Sequence, residues 1–320
     1  LKAASDFALP LIGVGILYSN GYFHQFLDPD GWQQEEYPET DIYHLPLKRA
    51  KDRSGKDVTV SVEGPSGEIR AAVWKIMVGR VPLYLLDTNL PENPPHIREI
   101  TSRLYAGDSK IRLAQEVLLG IGGMRCLETM GIYPLVCHLN EGHCAFATLE
   151  RLSQTMSKYN VDLKTAEEIV SRTTILTTHT PVAAGHDEFP VDSVRPYLGS
   201  LADRLGVTVE EVISWGQAVK SGSDSPLCMF VLGLRMAQYK NGVSELHGKV
   251  ARRMWSHVWE GIPEDEIPII HVTNGVHIPS WISTENVMLF ERYLGPEWHL
   301  HVSSPEIAHR VDDIYDEELW

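Results

Sequence analysis

The sequence predicts an α/β fold built on a doubly wound, mainly parallel sheet. Three observations carry that expectation. Short apolar, β-branched runs alternate with segments of helical period along the 320 residues. The runs end in polar residues, as strands of an open parallel sheet do where they line a crevice. The composition, 43% hydrophobic and 22% charged, is that of an ordinary globular chain.

Five runs read as buried strands: LPLIGVGILY (9–18), VPLYLLDTN (81–89), YPLVCHLN (133–140), TTILTTHT (173–180) and IPIIHVTNG (267–275). Helical period appears between them. Residues 110–130 carry an apolar stripe, and Phe146, Leu149, Leu152 and Met156 recur at helical spacing. Thr165 with Glu168, and Thr208 with Glu211, have the spacing of capping boxes and mark two further helix starts. From Asp28 to Gly79 the rhythm breaks. There GPSG (64–67) separates two alternating runs, which predicts a β-hairpin excursion appended to the sheet.

A net charge of −15, without clusters of Lys and Arg, argues against a nucleic-acid partner. No apolar segment reaches the length of a membrane span, so no membrane association is expected. Cys126, Cys137, Cys144 and Cys228 show no C-x-x-C spacing, which suits a reducing, cytoplasmic setting. The chain begins at Leu1 within a helix-like segment and closes on an acidic tail ending in Trp320, so the sequence is expected to be truncated at both ends.

The chemistry should lie at the strand ends. ILTTHTPVAAGHDEF (175–189) places His179 just past an apolar run and His186 seven residues on, a spacing that fits no common metal site. In HLNEGH, His138 and His143 are five apart, whereas the helical zinc motif needs four. No G-x-S-x-G elbow, cysteine-protease signature or phosphate-cradling glycine loop occurs. What remains is neutral and directional: Asn20, Asn89, Asn140, Asn241, Asn274, His143 and His179, with Trp32 and Trp281 near strand ends. Amides and imidazoles suit vicinal hydroxyls, and aromatic faces suit sugar rings, so the profile favours a carbohydrate.

Five stretches carry a resemblance. IGVGILYSNGYFHQFLDPDGWQQEEYP (12–38), HLNEGHCAFATLERL (138–152), TTHTPVAAGHDEF (177–189), NGVSELHGKVARRMW (241–255) and VTNGVHIPSWIS (272–283) together resemble the α-glucan (glycogen, starch and maltodextrin) phosphorylases, especially their shorter bacterial and archaeal branch. The resemblance implies the N-terminal, Rossmann-like domain of a glycosyltransferase-B architecture across residues 1–320, with the C-terminal cofactor-binding domain absent. It implies pyridoxal phosphate in the complete enzyme, on a lysine that is not in this chain, and α-1,4-glucan or maltooligosaccharide and inorganic phosphate as substrates. A homo-oligomer is compatible with it. Asn274 would bond a hydroxyl of the transferred glucosyl unit, His179 would sit beside the anomeric face, and Asn241, Asn140 and His143 match substrate-side motif positions. Gln238 stands where longer members have a histidine that assists catalysis. His186 is expected to anchor the loop after His179.

The expected function is that of a fragment of an enzyme that moves glucosyl units from an α-1,4-glucan to phosphate, giving glucose 1-phosphate, with the chain alone inactive. The alternatives are a non-catalytic glucan-binding module and a nucleotide-sugar-dependent glucan synthase of the same architecture.

Overall fold

A computed structural model of the chain describes residues 1–42, 44–104, 107–182, 185–218, 225–301 and 304–319; Trp320 lies outside the described residues. Internal contacts group them into two compact units, residues 3–273 with Leu1 and residues 274–320 with Lys2.

In chain order the elements up to residue 273 begin with α1 (Lys2–Asp6), β1 (Gly13–Ile16), β2 (His24–Leu27), β3 (Gln33–Glu36) and β4 (Lys48–Arg49). β5 (Thr59–Gly64), β6 (Gly67–Val78), β7 (Val81–Asp87), α2 (Pro95–Arg98), α3 (Ser109–Val117) and α4 (Gly123–Thr129) follow. Next come β8 (Cys137–Asn140), α5 (Phe146–Tyr159), α6 (Leu163–Arg172), β9 (Thr174–Thr178), β10 (Glu188–Phe189), α7 (Val191–Leu205) and α8 (Val209–Ser214). β11 (Leu227–Cys228), α9 (Met229–Met236), β12 (Tyr239–Gly242), α10 (Glu245–Trp255) and β13 (Ile270–His271) complete the unit.

Helices and sheets alternate as an α/β fold requires, and the strands form two main sheets. One is fully parallel, in the order β13, β12, β9, β8. The other is mixed, in the order β1, β7, β6, β4 with β5 also on β6; β1 and β7 run parallel and the remaining pairs antiparallel. The hairpin expected around residues 64–67 is β5 and β6, closed by Gly67 at φ +113°, a conformation that suits glycine. It is not an appendage, because β6 is flanked by β7 on one side and by β4 and β5 on the other.

β12 escapes the sequence reading because YKNG contains no apolar run; the neighbouring parallel strands supply its hydrogen bonds. The helical stretch at 110–130 is α3 and α4 joined through a π-turn, Leu118–Gly122. Gly120 explains the turn's placement, since a Cβ there would lie 2.7 Å from the backbone nitrogen of Ala147. The start of α6 is set by Asp162, whose carboxylate accepts from Thr165 N–H, and not by Thr165. Thr208 does cap α8, accepting from Glu211 N–H.

The core is continuous through this unit, from Val60, Ile69 and Leu86 on one sheet to Leu139 and Leu176 on the other, with Phe146, Leu149 and Phe230 between them and the helices. Four cysteines are free, and burial pushes the Cys126 and Cys144 thiols up to about 12. No helix among the described residues is long and apolar enough to cross a membrane. The second unit is helical, with α11 (Ile278–Trp281), α12 (Thr284–Leu294), α13 (Pro305–Val311) and α14 (Asp316–Leu319). It closes around Leu289, Leu294, Trp298 and Ile314, with Phe290 edge-on to Trp298.

Candidate functional site

The carboxyl ends of β8, β9 and β12 are in register. Thr177 pairs with Asn140 on one side and Asn241 on the other. The Thr177 hydroxyl donates to Asn241 Oδ1 at 2.8 Å, and His138 Nε2 lies 2.7 Å from the same hydroxyl. A hydroxyl has one proton, so with that proton on Asn241 the His138 ring must donate. Burial, and then the nearby His179, hold His138 below the ordinary histidine range, so it makes this bond as a neutral ring. Asn241 is 9% exposed and its Nδ2 donates to the Gly242 carbonyl. Three strands are thus tied at one level by side chains as well as by backbone.

Just beyond that level the chain turns sharply. Glu141 has φ +66° and ψ −178°, a region favoured by glycine that costs another residue about 1–3 kcal/mol. Gly142 forces the turn, because a Cβ there would meet Phe230 N at 2.8 Å. Glu141 N–H still reaches Thr177 O at 2.9 Å, so the strained residue stays bound to β9. Its carboxylate oxygen Oε1 accepts from the backbone N–H of His179, from Thr180 N–H at 2.9 Å and from the Thr180 hydroxyl at 3.2 Å. Charge-assisted bonds of this kind contribute about 1.5–3 kcal/mol each, enough to offset the strain. His179 is exposed, and its Nε2 lies 2.7 Å from Asn140 Oδ1.

Beside this lies an ionised cluster. Arg112 on α3 donates to Asp187 Oδ2 from Nη2 at 2.9 Å and from Nε at 3.2 Å. Glu116, one turn along, has Oε1 2.9 Å from Arg112 Nε, but that N–H points at Asp187 and Glu116 receives no hydrogen bond from it. Glu116 is 1% exposed; burial, and then the neighbouring Asp187 carboxyl, raise its carboxyl well above the usual range. Burial also pushes Asp187 upward, but its interactions with Glu116 and Arg112 outweigh that and hold it below its ordinary value. Of the two carboxyls, Glu116 is the one that holds a proton more tightly. His143 stands within the field of this cluster; burial, then Arg112, keep its pKa low and the ring neutral.

The structure brings Asn140, His179 and Asn241 together with His143 at one end of the parallel sheet. Gln238 is elsewhere. It precedes Tyr239, which pairs with Ile175, so it lies at the amino end of β12, donating its N–H to Ser171 O. Asn20 and Asn89 have local partners in the other sheet's surroundings, Asn20 donating to Tyr37 O and Asn89 accepting from Arg98. Asn274 opens the second unit and is exposed. His186 Nε2 is buried without a partner among the described residues, and the ring centre lies 4.6 Å from that of Phe230 and 4.8 Å from that of Trp255. Ala183 and Ala184 of the same loop lie outside the described residues. Among the described residues no group of three or more His, Cys, Asp or Glu could hold a metal ion.

Sequence reasoning missed Glu141 as anything but a rejected metal ligand, and missed Thr177, Arg112, Glu116 and Asp187. A charged residue inside an apolar helical stripe was the available signal for Glu116. Nothing local marks Thr177, whose partners come from other strands.

No family model matches the chain. Curated relatives do, over its whole length: a maltodextrin phosphorylase of Thermococcus litoralis is 42% identical over 320 residues. By sequence, the chain is a relative of the glycogen and maltodextrin phosphorylases. A glycogen phosphorylase of Mycobacterium tuberculosis is 40% identical and one of Aquifex aeolicus 37% identical, each across all of this chain. The chain spans 38% of the length of the first two phosphorylases and 46% of the third.

Proposed function

We propose that the protein carrying this chain is an α-glucan phosphorylase, transferring glucosyl units from the end of an α-1,4-glucan to inorganic phosphate, and that this chain supplies the sugar side of the site. The observation that carries the reading is the full-length match to phosphorylases at 42%, 40% and 37% identity. The parallel sheet with polar carboxyl ends supports the finer reading, a Rossmann-like, doubly wound domain of a glycosyltransferase-B architecture, and the four free cysteines suit a reducing, cytoplasmic compartment.

Each side chain then has a task. Asn140 Oδ1 can only accept, so it holds His179 with a proton on Nε2 and leaves Nδ1 to accept from a sugar hydroxyl. Neutral His143 offers a further donor and acceptor. Asn241, spent on Thr177 and buried, acts by fixing the row. Asn274 bonds a hydroxyl of the transferred unit. Such neutral contacts accelerate transfer to the extent that they strengthen as positive charge develops at the anomeric carbon.

Pyridoxal phosphate, implied for the complete enzyme, does not fit the residues described. Lys240 is the lysine that burial depresses, to about 8, but its amine is already engaged, 5.7 Å from the Trp259 ring centre and 3.5 Å from Gln238 O. Every step assigned here therefore belongs to hydrogen bonds of this chain.

The test is release of glucose 1-phosphate from maltoheptaose and phosphate. A protein of its relatives' length carrying this chain should turn over, and the 320-residue chain alone should not. An inert long protein that still binds maltoheptaose would favour a glucan-binding module. Turnover by the chain alone, or a cofactor absorbance band that survives its dialysis, would overturn the division of labour.

A further inference from the structure

The geometry points to Glu141 as a positioning residue, one whose carboxylate sets the backbone of His179 and Thr180 and so aims the His179 imidazole. The inference rests on the reading of His179 as a sugar-side group. Three facts converge on it. One carboxylate oxygen collects the His179 N–H, the Thr180 N–H and the Thr180 hydroxyl, with the Thr178 hydroxyl at 3.5 Å. The two amides lie directly beyond β9, whose pairing with β8 ends at Thr177 and with β12 at Thr178. The residue providing that oxygen holds a positive φ normally left to glycine, directly before a glycine packed against Phe230. A turn serving only to change direction would be satisfied by glycine at 141. The side chain is what the site requires.

Asn140 and Glu141 thereby act on the two halves of one residue. Asn140 fixes the ring of His179 through Nε2, and Glu141 fixes its main chain. An imidazole held at both points needs no reorganisation when a sugar hydroxyl arrives, which is how a positioned group lowers a barrier.

Two variants separate the side chain from the turn. Glu141→Gly relieves the positive φ and removes the acceptor; Glu141→Gln keeps an acceptor oxygen at the same reach. In the parent chain the His179 and Thr180 amides should exchange hydrogen slowly by NMR. Glu141→Gly should speed both by about tenfold or more, beyond what its change in global unfolding stability accounts for, while Glu141→Gln should stay within about threefold of the parent. In the long protein, Glu141→Gly should lower kcat for maltoheptaose phosphorolysis about tenfold with KM changed less than about threefold, and Glu141→Gln should restore most of it. Unchanged amide exchange in Glu141→Gly, or a Gln variant as impaired as the Gly variant, would overturn the assignment. If the long parent protein shows no phosphorolysis, the proposed activity fails, and amide exchange still decides the role of Glu141.

Discussion

Asn140 Oδ1 stands 2.7 Å from His179 Nε2, linking the last residue of β8 to the first residue beyond β9. Because an amide oxygen can only accept, the contact selects one tautomer of the imidazole and leaves the other ring nitrogen as an acceptor. Asparagine is suited to this position in a way that aspartate is not. A carboxylate there would put a formal charge beside the ring in place of a neutral acceptor.

Asn140→Asp should therefore move the resonances of the His179 imidazole carbon-bound protons in the NMR spectrum of the chain. In the long protein the same variant should lower phosphorolysis at neutral pH by about tenfold or more. Unmoved resonances would show that Asn140 and His179 are not coupled in solution.

Thr177→Val tests the row that joins three strands. Valine keeps the shape and removes the hydroxyl, leaving His138 Nε2 without its partner and Asn241 Oδ1 unsatisfied in a buried setting. The cost should be about 1–3 kcal/mol by denaturant unfolding. Thr177→Ser, which keeps the hydroxyl, should recover most of that. A loss for Thr177→Val below about 0.5 kcal/mol would mean that water replaces the hydroxyl there.

β1, β7, β8, β9 and β13 were legible in the sequence because each falls in an apolar run, and the polar strand ends were legible because those residues follow the runs directly. β12 was invisible: Tyr239–Gly242 is a strand only because β9 and β13 stand on either side of it. The same limit hid the working parts of the site. His179 could be read as the terminus of a run, but its two supports, Asn140 and Glu141, reach it from 39 and 38 residues away. Gln238 shows a related limit. Its distance along the chain from Asn241 is short, yet a strand lies between them, and an extended strand carries its two ends apart by about 3.3 Å per residue.

Glu116 gives a pH signature of known sign. Its folded pKa lies well above the ordinary 4.5, so above pH 4.5 the folded chain retains a proton that the unfolded chain releases. The stability this contributes is complete below the unfolded value and is lost as pH rises through the folded pKa. His143 and His186 act in the opposite sense. Burial holds both below the ordinary 6.5, so their contribution is complete above pH 6.5 and is lost as pH falls through their folded values. Glu116→Gln, which stays neutral and keeps a donor for Asp187, should abolish the loss on the alkaline side and leave the acid-side loss in place. Urea unfolding between about pH 4.5 and 9 measures both limbs. An alkaline limb that survives in Glu116→Gln would place the titrating group elsewhere.

Chelation separates two chemistries that His179 and His186 could serve. A metal held between them would stabilise the folded chain by linkage, and removing it would lower the melting temperature. The structure gives them different surroundings, since His179 bonds Asn140 while the His186 ring packs against the stacked pair of Phe230 and Trp255. EDTA should therefore leave the melting temperature of this chain unchanged, and elemental analysis should find no stoichiometric zinc or iron. His179→Gln keeps a neutral donor and acceptor and removes no buried surface, because the residue is exposed, so stability should change by less than about 0.5 kcal/mol. His186→Gln should cost more, about 1–3 kcal/mol, by breaking ring packing against Phe230 and Trp255. In the long protein the order should reverse, with His179→Gln lowering kcat/KM for maltoheptaose by about tenfold or more and His186→Gln sparing it. A chelator-induced fall in melting temperature, together with one metal ion per chain lost on dialysis, would instead assign the two histidines to a shared ion.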